Sequence, residues 1–302
     1  MTGEDRRIGV VLITHNRKDE ALDCIRRLLD LPERPRVVVV DNGSTDGTAQ
    51  AISARFGPSP RLDLVASPEN LGAVGRNVGV ERLDTPYVAF CDDDVWWEPG
   101  ALTRCADLLD AHPGLAVITG HIVVEPSGED DPIDAELRDS PVQGPDWLPG
   151  PALGSFLAGA SALRREAFVD CGGFSERLWL GGEEELLAAD LATAGWELCH
   201  VPDVVVHHHG SPNRDVRRRR RDGLRNTLWF TWLRRPLGPA LSRTWWLLRN
   251  APRDAVTAAA LWQAVRGLPW VLHERRPMPP RVEARFAALD APQRASTARS
   301  YR

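Results

Sequence analysis

The chain has 302 residues, of which 43% are hydrophobic and 26% are charged, and its formal net charge is −5. This composition is that of a globular protein, and it argues against a fibrous, a disordered or a nucleic-acid-binding chain. The five cysteines are scattered without a Cys-x-x-Cys pair, which is typical of a reducing cytosol. The polar start does not resemble a secretory signal, and no apolar run reaches the ~18 residues that span a bilayer. We therefore expect a cytoplasmic protein.

The first ninety residues alternate between apolar runs and amphipathic stretches. The apolar runs predict buried strands at 8–14, 37–40, 62–66 and 87–91. The amphipathic stretches predict helices at 18–31, about 48–56 and 71–83. This order implies an α/β fold with a mostly parallel open sheet, whose ligands bind at the carboxyl ends of the strands.

The second half of the chain is less regular. Residues 125–151 are rich in Pro, Gly and Asp and predict a long loop, and 156–163 predict a strand. A helix is expected over 183–194, ended by Gly195 in the left-handed conformation, followed by a strand over 197–206. The character then changes to Arg-rich and Trp-rich helices. We expect two domains, residues 1–210 and a helical extension over residues 211–302.

Three aspartates, Asp92-Asp93-Asp94, follow the predicted strand 87–91 directly. Two carboxylates at i and i+2 past a strand end would share a hard divalent cation, with a pyrophosphate and water completing its ligands. A solvated acidic turn is the alternative. Because clustered like charges beside a core strand are costly without a cation, the metal site is favoured.

A second polar turn, 41–47, follows the strand 37–40. An Asx turn with Ser44 or Thr45 capping the next helix would explain it. Asp41 also ends a strand at the ligand edge, where its carboxylate would accept an N–H from a nucleobase. Both interpretations are compatible.

Further motifs accompany these two in a fixed order over residues 8 to 210. The set is Thr14-His15-Asn16-Arg17, Asp41-Asn42-Gly43-Ser44-Thr45-Asp46, Glu69-Asn70-Leu71-Gly72 with Arg76-Asn77-x-Gly79, Asp92-Asp93-Asp94, Gly172-Gly173-Phe174, Gly182-Glu183-Glu184, Ala194-Gly195-Trp196 and Val205-Val206-His207. In this order they resemble the inverting family-2 glycosyltransferases of the GT-A fold, in which a rhamnosyltransferase-like subgroup is one candidate. The ordered set is specific, although no single motif is decisive.

The resemblance implies transfer of a sugar, with inversion, from a UDP-, dTDP- or GDP-sugar to the hydroxyl of a carbohydrate, lipid-linked or small-molecule acceptor. It implies that Mg²⁺ or Mn²⁺ assists departure of the nucleoside diphosphate. The implied nucleotide-sugar pocket comprises Thr14, Asn16, Arg17, Asp41, Asn42, Ser44, Asn70, Gly72, Arg76, Asn77, Asp92 and Asp93. The implied metal ligands are Asp94, Asp92, His207 and His209.

The acceptor hydroxyl needs a base that takes its proton in the transition state. In the family this base is the second residue of a Glu-Asp pair at the start of a helix. This chain has Glu183-Glu184 there and departs by one methylene, so Glu184 is the expected base and Glu183 the second candidate. Glu185 is expected only to favour the helix N-terminus.

The extension is strongly basic. From Arg214 to Arg249 it holds 11 Arg and 2 Asp, a charge of 11 − 2 = +9, including the run 217–221. Arginines beside tryptophans are typical of a membrane interface, here the inner face of the plasma membrane, but also of a packed subdomain or an oligomer contact. Nucleic acid is disfavoured because no recognised binding motif is present.

Two other functions compete with an active glycosyltransferase. A sugar nucleotidyltransferase would need a Gly-rich first loop, which Thr14-His15-Asn16-Arg17 does not provide. A catalytically silent nucleotide-sugar-binding protein is suggested by the Glu at position 184. Turnover of donor with acceptor separates the silent protein from the enzyme.

Overall fold

The computed structural model describes residues 4–210 and 216–295, and within them one sheet lies between helices. Its strands are β1 Ile8–Thr14, β2 Val37–Asp41, β3 Leu62–Ala66, β4 Tyr87–Asp92, β5 Val95–Trp97, β6 Leu115–Val124, β7 Glu129–Asp130, β8 Ser161–Arg164 and β9 Glu197–His208. The helices are α1 Lys18–Asp30, α2 Thr48–Phe56, α3 Gly75–Glu81, α4 Ala101–Ala111, α5 Pro132–Arg138, α6 Arg165–Asp170, α7 Glu183–Ala194, α8 Val216–Arg234, α9 Leu237–Asn250, α10 Ala255–His273 and α11 Pro280–Ala295.

The sheet has the strand order β3-β2-β1-β4-β8-β6-β9-β5, and β7 pairs with β6. Strands β1 to β4, β6 and β9 run in one direction, whereas β5, β7 and β8 run against it. The expected α/β fold with a mostly parallel sheet and a helical extension is therefore confirmed, although the sheet is mixed. The reversed β8 lies between β4 and β6, so the sheet continues past the aspartates.

Both faces of the sheet are covered by helices. Val37 and Val39 of β2 join the hydrophobic cluster under α1, α2 and α4, whereas Val38 and Val40 join the cluster under α3, α6 and α7. Successive side chains of a strand point to opposite faces, so a strand buried on both faces must be apolar throughout. This explains why the continuous apolar runs are strands.

The prediction of a long loop over 125–151 was wrong in part. The segment contains β7 and the helix α5, which begins with Pro132 and is capped by Asp131 accepting the N–H of Ile133 at 3.0 Å. Asp and Pro at a helix start are the same residues that mark turns, so composition did not separate the two.

Other boundaries also differ from the predictions. The helix expected over 71–83 opens with a 3₁₀ turn, because Gly72 has a φ of +62° that interrupts regular helix. The strand expected over 156–163 is a 3₁₀ turn, Ala158–Ala160, followed by β8. Neither Ser44 nor Thr45 caps α2; Asp46 instead accepts the N–H of Thr48 at 3.0 Å.

The helices α8 to α11 pack through α7 on the sheet and its flanking helices. Leu186 and Ala189 of α7 share a hydrophobic cluster with Phe230 of α8 and Phe286 of α11. Arg234 of α8 adds a two-point ion pair to Asp190, at 2.5 and 2.9 Å. Residues 211–215, at the predicted domain boundary, lie outside the described residues, and the division into two domains stays a prediction.

The basic run at the start of α8 is partly folded into the protein. The Arg220 side chain is only 17% exposed and pairs with Asp254, and Arg218 lies 4.1 Å above the ring of Trp179. The tryptophans divide in the same way, since Trp229 packs against Trp270 whereas others are exposed. No helix among the described residues is both long and apolar enough to cross a membrane.

Candidate active site

Asp93, the residue directly after β4, is held by two side chains at the carboxyl end of β1. Its carboxylate accepts the Thr14 hydroxyl at 2.8 Å and the Arg17 guanidinium at 2.7 Å, and Arg17 also donates to Asp94 at 2.9 Å. Burial raises the pKa of Asp93 to about 6, and the charge of Arg17 opposes that rise. The parallel pairing of β1 and β4 brings these residues together from positions about 80 apart in the chain.

Asp92 faces a different partner. It accepts the guanidinium of the buried Arg76 at 2.5 Å, and its side chain remains 37% exposed. On its other side, a Cβ at Gly159 would lie only 2.9 Å from the Asp92 carboxylate, so glycine lets the 3₁₀ turn approach the aspartate closely. Asp92 therefore lies between α3 and the turn that precedes β8.

The two glutamates that start α7 lie in the field of the same arginine. Glu184 Oε1 accepts the N–H of Ala158 at 2.5 Å, and Arg76 interacts electrostatically with both Glu184 and Glu183. Glu183 is only 4% exposed and its Oε2 has no hydrogen-bond partner among the described residues. Burial, followed by the charge of Glu184, raises the pKa of Glu183 to about 7. Residues Asp92 to Asp94 at the carboxyl end of β4 are called the aspartate edge. Arg76 contacts this edge through Asp92 and also interacts with the two glutamates.

The loop before these glutamates is held by the helical extension. Asn226 of α8 is fully buried, and its amide lies within donating distance of the carbonyls of Leu178, Leu180 and Gly181, at 2.8, 3.1 and 2.6 Å. Glu185 pairs with Arg243 of α9 at 3.3 Å, so it does more than start the helix. The extension therefore supports the backbone that presents Glu183 and Glu184.

The polar turn after β2 forms a second part of the edge. Asp41 accepts the N–H of Ser44 at 3.0 Å, and the Ser44 hydroxyl accepts the N–H of Asn16 at 2.8 Å. Asn16 has a φ of +53° and its side chain accepts the N–H of Thr45 at 2.7 Å. The loops after β1 and β2 are thus tied together, with Asn16 and Thr45 exposed and Asp41 buried beneath them.

Several predicted pocket residues serve the fold in this structure. Asn42 donates to the Gly72 carbonyl at 3.0 Å, and Asn70 accepts the Gly72 N–H at 2.9 Å. A Cβ on Gly72 would lie 2.3 Å from the Trp179 carbonyl oxygen, so this glycine permits a close backbone approach. Both amide atoms of Asn77 bond the backbone of Phe174.

The histidines at the end of β9 differ in their surroundings. His207 Nδ1 lies 2.9 Å from Glu125 Oε1, and the ring stacks on Trp96. His209 is exposed, and its backbone N–H donates to the Asp94 carbonyl at 2.8 Å. His209 therefore lies beside the aspartates, whereas His207 is held by its neighbours.

The aspartate edge fits a hard cation that also binds a ligand. Asp92 and Asp94 offer carboxylate oxygens, the donors that Mg²⁺ and Mn²⁺ prefer. Among the residues that the structure describes, three metal-ligating side chains converge within 4.8 Å at His121, Asp130 and Asp134 and not at this edge. A cation at Asp92 and Asp94 would thus depend on further oxygens, such as those of a diphosphate.

Sequence reasoning missed several contributors to these sites. Asn226 and Gly159 carried no motif, because their roles depend on where α8 and a 3₁₀ turn pack. His121 and His200 lie within β6 and β9, where a lone histidine in an apolar strand reads as core. For the two histidines, the usable signal was the alternation of side chains along a strand, which places every second residue on the same face of the sheet.

This sheet, with carboxylates at the carboxyl ends of its parallel strands and a Glu pair near the buried Arg76, agrees with the GT-A fold that the motifs implied. Residues 9–172 match the sequence family Glycosyl transferase family 2. The chain therefore belongs to family 2 of the glycosyltransferases, as its motifs indicated.

Relatives and solved structures agree with this assignment. The N-acetylglucosaminyl-diphospho-decaprenol L-rhamnosyltransferase of Mycobacterium tuberculosis is 29% identical over 236 residues, covering 67% of this chain and 76% of its own. The mannosyltransferase PcManGT from Pyrobaculum calidifontis, solved with GDP-Man and Mn²⁺, gives a TM-score of 0.58 at 23% identity, covering 94% of this chain and 75% of its own. GalNAc-T7 with UDP, GalNAc and Mn²⁺ gives 0.56 at 15% identity, covering 88% of this chain and 56% of its own. The two structures show the shared fold.

Proposed function

We propose that the chain transfers a sugar from a nucleoside-diphosphate donor to an acceptor hydroxyl in a single displacement that inverts the anomeric centre. The observation that carries this proposal is Arg76, which contacts Asp92 and lies in the field of Glu183 and Glu184. The Arg76 guanidinium interacts with both groups, and this supports an arrangement in which the carboxylates of the donor edge lie near a carboxylate that would deprotonate the acceptor. This juxtaposition is what an in-line displacement needs.

The donor would bind along the edge formed by the loops after β1, β2 and β4. Asp41 would accept an N–H from the base, and Asn16 and Ser44 would line the entrance to this pocket. Asp92 and Asp94, with His209 beside them, would hold Mg²⁺ or Mn²⁺ at the diphosphate. When bound, such a cation neutralises charge that grows on the leaving diphosphate.

Among the two glutamates, Glu184 is assigned as the base. It is more exposed than Glu183, so an acceptor can approach it, and the Ala158 N–H fixes its carboxylate. The buried Glu183 would instead act through its electrostatic interaction with Arg76.

The acceptor is proposed to be a lipid-linked sugar. This rests on the Mycobacterium tuberculosis relative, whose name specifies an N-acetylglucosaminyl-diphospho-decaprenol acceptor and L-rhamnose as the transferred sugar. Rhamnose is accordingly the first sugar to test. Carbohydrate or small-molecule acceptors would be the outcome if lipid-linked ones are not used.

Such an acceptor would bring the enzyme, as a peripheral protein, to the inner face of the plasma membrane. Large apolar side chains on one face of α9 are 48–67% exposed, and α10 adds others: Leu237, Leu241, Trp245 and Leu248, then Trp262, Val265 and Leu272. Exposed arginines accompany them at positions 249, 253 and 266. Apolar stripes beside cationic side chains suit an anionic lipid interface, to which each arginine contributes about 1 kcal/mol.

The test is a screen of UDP-, dTDP- and GDP-sugars with Mn²⁺ and a diphospho-lipid-linked acceptor. Release of nucleoside diphosphate together with a product of inverted anomeric configuration, determined by NMR, would support the proposal. Donor binding without turnover of any pair would favour a silent binding protein. A retained configuration would contradict the single displacement.

A further inference from the structure

A second group of metal-ligating side chains lies where β6, β9 and α5 meet. His121 of β6, Asp134 of α5 and His200 of β9 converge there, and Asp134 and His200 are 1% and 0% exposed. The pairing of β6 with β9 shifts between Gly120 and His121. Such irregularities redirect side chains and are common beside sites.

The hydrogen bonding of His200 leaves one nitrogen without a partner. Its Nδ1 lies 3.1 Å from the Thr119 carbonyl oxygen, and because a carbonyl only accepts, Nδ1 carries the hydrogen. The Nε2 lone pair then has no hydrogen-bond partner among the described residues and faces Asp134 Oδ1 at 3.9 Å. Asp134 Oδ1 also accepts the Ile122 N–H at 3.2 Å, so the buried acceptors without a partner here are His200 Nε2 and Asp134 Oδ2, and a cation between them would satisfy both.

His121 shows the complementary arrangement. Its Nδ1 lies 2.9 Å from Asp134 Oδ2, although the two atoms are not oriented as a hydrogen bond. Its Nε2 lies 3.2 Å from Asp130 Oδ1. In each imidazole, the nitrogen that does not face Asp134 lies beside an acceptor. This acceptor is Asp130 for His121 and the Thr119 carbonyl for His200. Outer contacts of this kind fix the tautomer of metal-bound histidines.

We propose that His121 Nδ1, the Asp134 carboxylate and His200 Nε2 form a site for one Zn²⁺-like transition-metal ion, distinct from the aspartate edge. Two imidazoles and one carboxylate suit Zn²⁺ rather than Mg²⁺ or Ca²⁺. Ligand atoms around tetrahedral Zn²⁺ lie about 3.3 Å apart, given bonds of about 2.0 Å. The separations of 2.9 Å and 3.9 Å that join His121 and His200 to Asp134 differ from this value by less than about 1 Å, and ion binding would also draw the two histidines toward each other. The partly exposed His121 leaves an entry path and a position for water.

Arg138 supplies the counter-charge in the absence of a cation. Its guanidinium lies 3.7 Å from Asp130 and 3.9 Å from Asp134, and its side chain is half exposed. It can turn to solvent when an ion binds, so it competes with the metal. Metal binding would then fasten α5 to β6 and β9 and stabilise this part of the fold.

The experiment uses the full chain carrying Asp94→Ala, so that the aspartate edge contributes no site. After removal of metal with EDTA, Zn²⁺ is titrated by calorimetry and Co²⁺ by its visible absorption. One ion per chain is expected, with at least ~10-fold weaker binding in His121→Gln and His200→Gln. His273→Gln, on the exposed end of α10, is the matched control and should bind as the parent does.

Two milder variants keep the test valid if the buried ones fail to fold. Asp130→Asn removes only the outer partner and should weaken Zn²⁺ binding about 10-fold, and Arg138→Gln should tighten it. The proposal is overturned if the Asp94→Ala parent binds no stoichiometric Zn²⁺ at about pH 8, in which case a proton fills the gap. It is overturned equally if His121→Gln and Asp130→Asn bind as the parent does.

Discussion

The buried Glu183 should make the protein less stable as pH rises, and Glu183→Gln should abolish this loss. The pKa of Glu183 rises from its ordinary value of 4.5 to about 7, chiefly through burial. At 1.36 kcal/mol per pKa unit, the difference corresponds to about 3 kcal/mol. The folded protein holds this proton more tightly than the unfolded chain, so the contribution is complete below about pH 4.5 and is lost as pH rises through 7.

Glutamine is neutral at every pH and escapes that loss. Urea unfolding of the full chain, followed by circular dichroism without divalent cations, gives the free energy of unfolding at each pH. We expect the variant to gain about 2–3 kcal/mol over the wild type between about pH 5 and pH 8.5. Glu185→Gln, in the same helical turn but paired with Arg243, is the control. Parallel pH profiles of wild type and Glu183→Gln would refute the reasoning.

Three further predictions concern the proposed function. Asp94→Ala should remove Mn²⁺-dependent binding of nucleoside diphosphate, and unchanged metal-dependent affinity in calorimetry would contradict the assignment. Glu184→Gln keeps size but cannot take a proton, so turnover should fall at least ~100-fold with donor affinity nearly kept; the opposite ranking, with Glu183→Gln inactive and Glu184→Gln active, would reassign the base. The full chain should co-sediment with anionic vesicles, less so at high salt. Trp245→Ala should reduce this binding and Trp147→Ala, on the sheet domain, should not, whereas protein that stays in the supernatant at low salt would leave α9 better explained as an oligomer contact.

Local patterns in the sequence determined most of the sheet. The run from Ile8 to Ile13 of β1 has no polar side chain because both faces of the strand are buried, and the polar turns after β2 and β4 follow from strand ends at the ligand edge. Turn chemistry placed Gly195 as the left-handed end of α7, and its φ of +98° agrees. These features depend on neighbours within a few residues, which a sequence displays directly.

The same local reasoning was insufficient where one residue type suits two structures. Asp131-Pro132 starts a helix but has the composition of a loop. The arginines at 217–221 look alike in sequence, although Arg220 is largely covered and pairs with Asp254. The choice depends on what packs alongside, and that information lies far away in the chain.

The chemistry of the site was divided in the same way. The sequence predicted which carboxylates gather at the edge, because parallel strands end together. Only the tertiary structure decided that Arg17 pairs with Asp93 and Asp94 and that Arg76 pairs with Asp92. It also decided that Glu183 is buried while Glu184 is accessible, and that His121 and His200 meet Asp134. Burial and partner charges set a pKa or create a ligand set, and both arise from contacts between segments that the chain order leaves tens of residues apart.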